Sequence, residues 1–360
     1  MIKPKSLIEN VIRIQEKEAS RFFKVRLDRN ERTHPFSDEF IRCVKDRISG
    51  ELLMVYPDLD AIYEKFANLL GLQTLNIIFN NGSDLSIKAI FETYISEGDK
   101  LLMHRPGYAM FPIYANMFGA SVIYQDFDID LAFDYEEYID KIDSSFRMAV
   151  LENPNGFIGV APPAEVLLNF IKKCETTGTI ALIDEAYYYF HNVTAADHLA
   201  SFENLIVTRT FSKAFGLAGM RSGYTLSCQE NIQNIFRVKP MYEFNSAAII
   251  AIDTLLDMSE EFYSYVRETK DDLQYLKDGL ADLNIVVSNS VANFVAARFG
   301  EFFSGEILTE RLYEKGVLLR RPFREEHLRS WTRVGTAPKE KIDIVLDTTR
   351  EILKEHGADV

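Results

Sequence analysis

Cysteine is scarce in this chain: Cys43, Cys174 and Cys228 are the only three in 360 residues. An odd, widely spaced set forms neither a disulfide framework nor a metal-ligand spacing, so reduced thiols, no structural metal and a cytoplasmic location are expected. Positive charge is also in deficit. Lys and Arg number 40 against 54 Asp and Glu, giving a formal net charge of −14 and a pI of about 5.0. That balance argues against nucleic acid or an anionic membrane surface as the main partner, and an anionic ligand would need its own local cluster of cations. No run of about 18 apolar residues offers a membrane span. The opening MIKPKSLIENVIRI lacks the uninterrupted apolar core of a signal peptide. Internal repeats and low-complexity linkers are missing as well. So is a Gly-x-Gly-x-x-Gly after the first strand, which counts against a dinucleotide-binding fold.

What is present is apolar material, 47% of the residues, enough for a sizeable core, over a length that suggests two lobes. From Asn76 onward strand-like and helix-like segments alternate. Strands are expected at 76–79, 100–103, 121–124, 148–151, 179–183, 205–208 and 222–226. Helix faces recur between them, for example Ile87, Ile90, Phe91, Tyr94 and Ile95. This alternation implies an α/β protein with a mostly parallel sheet covered on both faces, and ligand groups gathered at the carboxyl ends of its strands. After Asp257 the pattern changes to a charged helix over 260–283, strand-like segments at 285–287, 293–298 and 317–320, and a closing helix from Pro338. The expected division is a large lobe over 40–257 and a smaller α+β lobe from 1–39 and 258–360. The charged, helix-compatible segment up to Phe23 is expected to pack on a neighbouring lobe or subunit.

The run TRTFSKAFGLAGMRSGY, Thr208 to Tyr224, holds a lysine among small and apolar neighbours. Desolvation of its ammonium would lower the pKa of Lys213 and free a nucleophilic amine able to form a Schiff base. Thr210, Ser212 and Arg221 around it suit a phosphate. Four loops at strand ends add to this. Gly82-Ser83-Asp84 opens a helix whose exposed amides favour an anion. Tyr108 follows a strand and can stack on a flat ring. Asn153-Pro154-Asn155-Gly156 offers carboxamides for a phenolate oxygen. Asp184, placed directly after a buried strand with Tyr187 close behind, needs a cation such as a protonated ring nitrogen. Each loop alone is also an ordinary cap, turn or packing feature.

In this order the motifs resemble the pyridoxal-phosphate (PLP) aminotransferases of fold type I, and most nearly the histidinol-phosphate aminotransferase group. SKAFGLAGMRSGY, NNGSD, PGYAMF, YPD, ANFV and GVLLR carry the resemblance. It implies a large domain with a mostly parallel seven-stranded sheet, a smaller α+β domain, and transfer of an amino group between an amino acid or small, possibly phosphorylated, amine and a 2-oxo acid. By that resemblance Lys213 is the Schiff-base lysine and moves the proton, Asp184 pairs with the ring nitrogen, and Tyr187 and Asn155 bind the 3′ oxygen. Tyr108 stacks on the ring, while Gly82, Ser83, Asp84, Thr210, Ser212 and Arg221 hold the phosphate. Tyr56 reaches the same phosphate from a second subunit, which implies a homodimer with shared sites. Asn30, Arg320 and Arg333 anchor substrate.

The chain departs from the family pattern on the substrate side. The usual Asn-Pro-Asn-Asn-Pro-Thr-Gly loop reads Asn153-Pro154-Asn155-Gly156-Phe157-Ile158-Gly159, so the asparagine at its fourth position is missing; Asn155 is favoured over Asn153 for the 3′ oxygen. Asn30-Glu31-Arg32-Thr33 replaces Asn-Glu-Asn-Pro. The spacing in WTRVGT leaves Arg329 as a rival to Arg333. A decarboxylase of a phosphorylated amino acid shares the motif set and is the alternative reaction. A non-catalytic ligand-sensing domain is the alternative outside enzymes.

Overall fold

The computed structural model describes residues 2, 4–9, 11, 21–300 and 302–358. Its strands are β1 (Val25–Leu27), β2 (Ile77–Asn80), β3 (Lys100–Arg105), β4 (Ser121–Asp126), β5 (Phe146–Glu152), β6 (Ile180–Asp184), β7 (Leu205–Thr210), β8 (Gly223–Ser227), β9 (Val286–Val287), β10 (Phe294–Arg298), β11 (Val317–Leu319) and β12 (Trp331–Gly335). Seven of them form one sheet in the order β2-β8-β7-β6-β5-β3-β4. Pairings from β4 through β7 are parallel, and β8 runs antiparallel to both β7 and β2.

The buried central strands read as nearly continuous apolar runs because both faces of the sheet are covered. Within each run the side chains alternate. Leu102, Ala149, Leu151, Ala181, Ile183 and Val207 enter one core layer, while Leu101, Met103, Met148, Val150, Leu182 and Ile206 enter the layer on the other face. The first layer includes an aromatic cluster in which Phe66 meets Phe211 at 5.3 Å and Tyr224 at 4.8 Å between ring centroids. Ile87, Ile90 and Phe91, on the helix Ser83–Tyr94, fill the second layer.

A separate core gathers Leu273, Leu276, Leu280, Val295, Leu312, Val345 and Ile352 around the C-terminal elements. Here β12, β10 and β9 form an antiparallel sheet and β1 pairs in parallel with β11. The helix Ser259–Ala281 serves both units: Phe262 and Tyr265 pack on the large core, and Leu273 and Leu276 on the C-terminal one. The expected boundary at 257–258 therefore falls where this helix begins, yet the helix itself is shared.

Differences from the sequence reading have local causes. The reading lacks β12, because an arginine in its middle interrupts the apolar pattern; in the structure all five residues of the strand are buried. It also lacks the helices Asp38–Arg47, Met110–Met117 and Gly305–Glu314. Of the N-terminal segment, Ser6–Glu9 is a helical turn and Arg21–Phe23 a 3-10 turn, whereas residues 12–20 lie outside the described residues.

Below the carboxyl edge of the sheet, Arg209 and Glu185 form a buried ion pair at 2.8 Å, with the guanidinium 3.8 Å from the centre of the Tyr188 ring. Arg209→Met should cost about 3–5 kcal/mol in urea unfolding, since Glu185 would keep a buried charge without its cation.

Candidate active site

A cleft of about 2010 Å³ opens at the carboxyl ends of β3, β5, β6 and β7. Lys213 lies on the loop after β7. Its neighbours Phe211, Ala214, Phe215 and Leu217 are buried in the large core and pin that loop from below. The Lys213 Nζ donates to the backbone oxygen of Arg29 at 2.7 Å. Burial, then repulsion from Arg333, with Arg221 and Arg320 adding to it, lowers its pKa to about 7. A neutral amine is thus accessible near neutral pH.

Asp184 ends β6 with its carboxylate at the cleft wall. Thr208 Oγ1 and the Ala186 amide donate to its Oδ1 at 3.1 and 3.2 Å, which leaves Oδ2 for a partner in the cleft. Burial, and then the neighbouring Glu152, push its pKa up to about 7. Tyr187 is buried beside it and accepts a hydrogen bond from Asn30 Nδ2 at 2.8 Å. Asn30 itself has a positive φ of 55°, and its carbonyl accepts from Asn293.

The opposite end of the cleft suits an anion. Gly82 caps the helix Ser83–Tyr94 with φ 87°, and the helix's own bonding begins with Leu85 N donating to Gly82 O at 3.1 Å. The amides of Ser83 and Asp84 precede that turn and have no intrahelical acceptor. A Cβ on Gly82 would come within 2.9 Å of Arg221 Nη2, so glycine lets the guanidinium close over this helix end. The Asp84 carboxylate is held by the Tyr114 hydroxyl at 2.9 Å, and its contribution to an anion is its amide. Thr210 and Ser212 line the same wall, tied by the Ser212 amide to Thr210 Oγ1 at 3.0 Å.

On the substrate side, Arg333 is buried on β12. It donates from Nη1 to Gly156 O and from Nη2 to Asp28 O, both at 2.8 Å. Arg320 and Arg333 lie 4.9 and 5.3 Å from the ring of Phe157. Arg329 lines the cleft from an exposed rim position, so Arg333 is the one placed at the floor. Arg32, part of the altered N-terminal loop, is drawn away into an ion pair with Glu261 at 2.8 Å and stacks on Phe36 and Tyr265.

One expected position falls elsewhere. Asn155 does not line the cleft: its Oδ1 accepts from the amides of Phe157 and Ile158 at 2.8 Å and its Nδ2 donates to Pro106 O at 2.9 Å, so the loop's own geometry consumes the carboxamide. Asn153 points to the other face and donates to Val193 O at 2.9 Å. Tyr56 is 74% exposed, stacked on Tyr242 at 4.1 Å, and outside its own chain's cleft. The sequence reading passed over Glu152 and His104, both buried beside the cleft. A carboxylate ending an apolar strand was the signal that marked Asp184, and Glu152 carries the same one.

The residues present fit pyridoxal phosphate. A carboxylate held in the cleft by donors to one oxygen only suits a pyridinium proton, a lysine of lowered pKa suits an aldehyde, and the Gly82–Arg221 cradle suits the phosphate. With the seven-stranded sheet, these features define a fold type I PLP-dependent transferase. The family model for aminotransferase class I and II matches residues 24–348, and the chain belongs to that family. It is 30% identical to the histidinol-phosphate aminotransferase of Caldanaerobacter subterraneus subsp. tengcongensis, over 96% of this chain and 100% of that protein. The fold is also that of histidinol-phosphate aminotransferase from Sinorhizobium meliloti in complex with pyridoxal-5′-phosphate (TM-score 0.84, 22% identity, 99% of this chain and 95% of that one). L-threonine-O-3-phosphate decarboxylase from Porphyromonas gingivalis shares it too (TM-score 0.80, 19% identity, 92% and 99%). The protein is a PLP-dependent aminotransferase.

Among the described residues no helix is long and apolar enough to cross a membrane. Reconstitution of cofactor-free protein with PLP should accelerate as pH rises through about 7, where Lys213 loses its proton. Stopped-flow absorbance would measure this; an acceleration only near the ordinary lysine range of about 10 would contradict the desolvated amine.

Proposed function

We propose that this aminotransferase moves an amino group between a small phosphorylated amine of the histidinol-phosphate type and a 2-oxo acid. The observation that carries this reading is the cationic floor formed by Arg333 and Arg320 around Phe157, in a chain whose overall charge is −14. An anion entering a protein of that charge needs such a local field.

When bound, PLP supplies an aldehyde for the amine and a ring that accepts the electrons of the broken Cα–H bond. Asp184 holds the ring-nitrogen proton. Lys213 would hold the cofactor through its amine and, when that amine is free, would carry the proton from the substrate Cα. The Ser83 and Asp84 amides, Thr210, Ser212 and Arg221 bind the phosphate, and Tyr108 covers the ring. Tyr187, steadied by Asn30, contacts the 3′ oxygen. Arg333, fixed by two backbone carbonyls, orients the substrate anion, with Arg320 beside it and Arg329 at the rim. Residues 40–257 act as the cofactor-binding lobe, and 1–39 with 258–360 as the smaller lobe, in a cytoplasmic enzyme.

The protein works as a homodimer. Leu53, Met54, Val55, Tyr56, Met241 and Tyr242 form an exposed apolar surface that a second copy would cover, which supports that reading. Tyr56 on that surface then reaches the phosphate of the neighbouring site.

Incubation of the PLP-loaded protein with histidinol phosphate should convert the cofactor to its pyridoxamine form without release of carbon dioxide. Release of carbon dioxide from a phosphorylated amino acid would favour the decarboxylase reading instead. Arg333→Lys should lower kcat/KM about 10- to 100-fold, because the ammonium cannot reproduce the planar fork. Tyr56→Phe should weaken PLP retention several-fold, about one hydrogen bond's worth, while sedimentation still reports a dimer; unchanged retention would remove Tyr56 from the shared site.

A further inference from the structure

Glu152 is an ionisable group in the cleft to which the family pattern gives no role. In the parallel register of β5 and β6 it pairs with Asp184, so the two carboxyl groups leave the sheet on the same face. The following residue, Asn153, points the other way, and Asn155 is consumed by its own loop. Neither asparagine offers a carboxamide to the cofactor's 3′ oxygen. Gly156 stands where the family's loop has an asparagine at its fourth position. A Cβ built there would lie 3.1 Å from Glu152 Oε2 and 3.5 Å from Tyr187 Cε2. The glutamate oxygen thus borders the space in which that missing side chain would begin, next to the tyrosine that faces the same cofactor atom.

We propose that the Glu152 carboxyl group takes over from the missing loop asparagine and donates a hydrogen bond to the 3′ oxygen of bound PLP. The inference rests on the cofactor assignment above.

The carboxyl is held in place: the amides of Tyr108 and Gly156 donate to Oε1 and Oε2, each at 2.6 Å. Its titratable neighbours are His104 on β3, Tyr108 beyond that strand, Tyr138 on the helix Tyr135–Asp140, and Asp184 and Tyr187 at the end of β6. His104 Nε2 lies 4.0 Å from Oε1, but it accepts from the Glu152 amide at 3.2 Å, and burial takes its pKa down to about 4. It is neutral at physiological pH. The three tyrosines have raised pKa values and are neutral too. Asp184 is the anion of the set once it holds the ring nitrogen. Burial, only partly opposed by the two amide donors, accordingly pushes Glu152 up to about 7. Below that pH the carboxyl is a donor matched to a phenolate; above it, an ionised carboxylate would repel the same oxygen. An asparagine in that place would have no such pH dependence.

The test compares PLP affinity and the visible absorbance of the loaded protein, from about pH 6 to about pH 8, in wild type, Glu152→Gln, Glu152→Ala and Glu152→Ala/Gly156→Asn. Lys213 and Asp184 also titrate near 7 and are shared by every variant, so the readout is the ratio of wild-type to Glu152→Gln affinity, which should fall across this range as Glu152 ionises around pH 7. Glu152→Gln keeps a donor of the same shape at every pH. At low pH it should stay within about threefold of the wild-type affinity. Glu152→Ala should bind about tenfold more weakly at low pH, and adding Gly156→Asn should restore most of the loss. The proposal is overturned if Glu152→Ala binds PLP like wild type, if the ratio of wild-type to Glu152→Gln affinity does not change with pH, or if Gly156→Asn gives no rescue. Failure of wild type itself to bind PLP would instead strike the cofactor assignment.

Discussion

Removal of water from a few charged groups at the carboxyl edge of an apolar sheet governs most of what this protein does. Lys213 loses its proton more readily because its ammonium is desolvated and faces Arg333, while Asp184 and Glu152 keep theirs more readily because their carboxylates are desolvated, Asp184 also lying beside Glu152. One environment therefore shifts an amine and two acids toward neutrality from opposite directions. A bound cofactor would offer a ring-nitrogen proton to the Asp184 carboxylate and a phenolate acceptor to the neutral Glu152 carboxyl. The cleft is prepared for a particular distribution of charge, and its cost in the empty protein is that of unpaired buried acids.

The sheet makes this possible through alternation. Thr208 and Thr210 accompany Asp184 and Lys213 on the cleft side, whereas Arg209 and Glu185, between them in sequence, pair on the other side. The same strands thus carry reactive groups on one face and a fully matched ion pair on the other. A slip of one residue in register would exchange the two sets.

Much of the architecture was legible along the chain. The apolar runs of β5, β6 and β7 follow from burial on both faces, and the order of loops around Lys213, Asp184 and Arg221 was enough to expect their convergence, since parallel α/β connections bring strand ends together. Illegible stretches were those in which a polar residue sits inside an element for tertiary reasons. Arg333 hides β12 because its charge is answered by the carbonyls of Gly156 and Asp28, 177 and 305 positions away in the chain. Arg32 read as a change at the substrate, but Glu261 from a distant helix draws it into a supporting ion pair.

The sequence by itself determined the chemistry available: one sheltered lysine, an acid after a buried strand, and an anion cradle at a helix start. Those depend on residue type and on neighbours close in the chain. Which groups face the cleft was decided by tertiary structure. Asn155 carries the right side chain, yet hydrogen bonds to Phe157, Ile158 and Pro106 turn it inward. Glu152 looks like the misplaced end of a strand, yet its register with Asp184 puts it at the site. Side-chain direction depends on strand register and loop closure, which connect residues far apart in the chain, and a linear sequence carries neither as a local pattern.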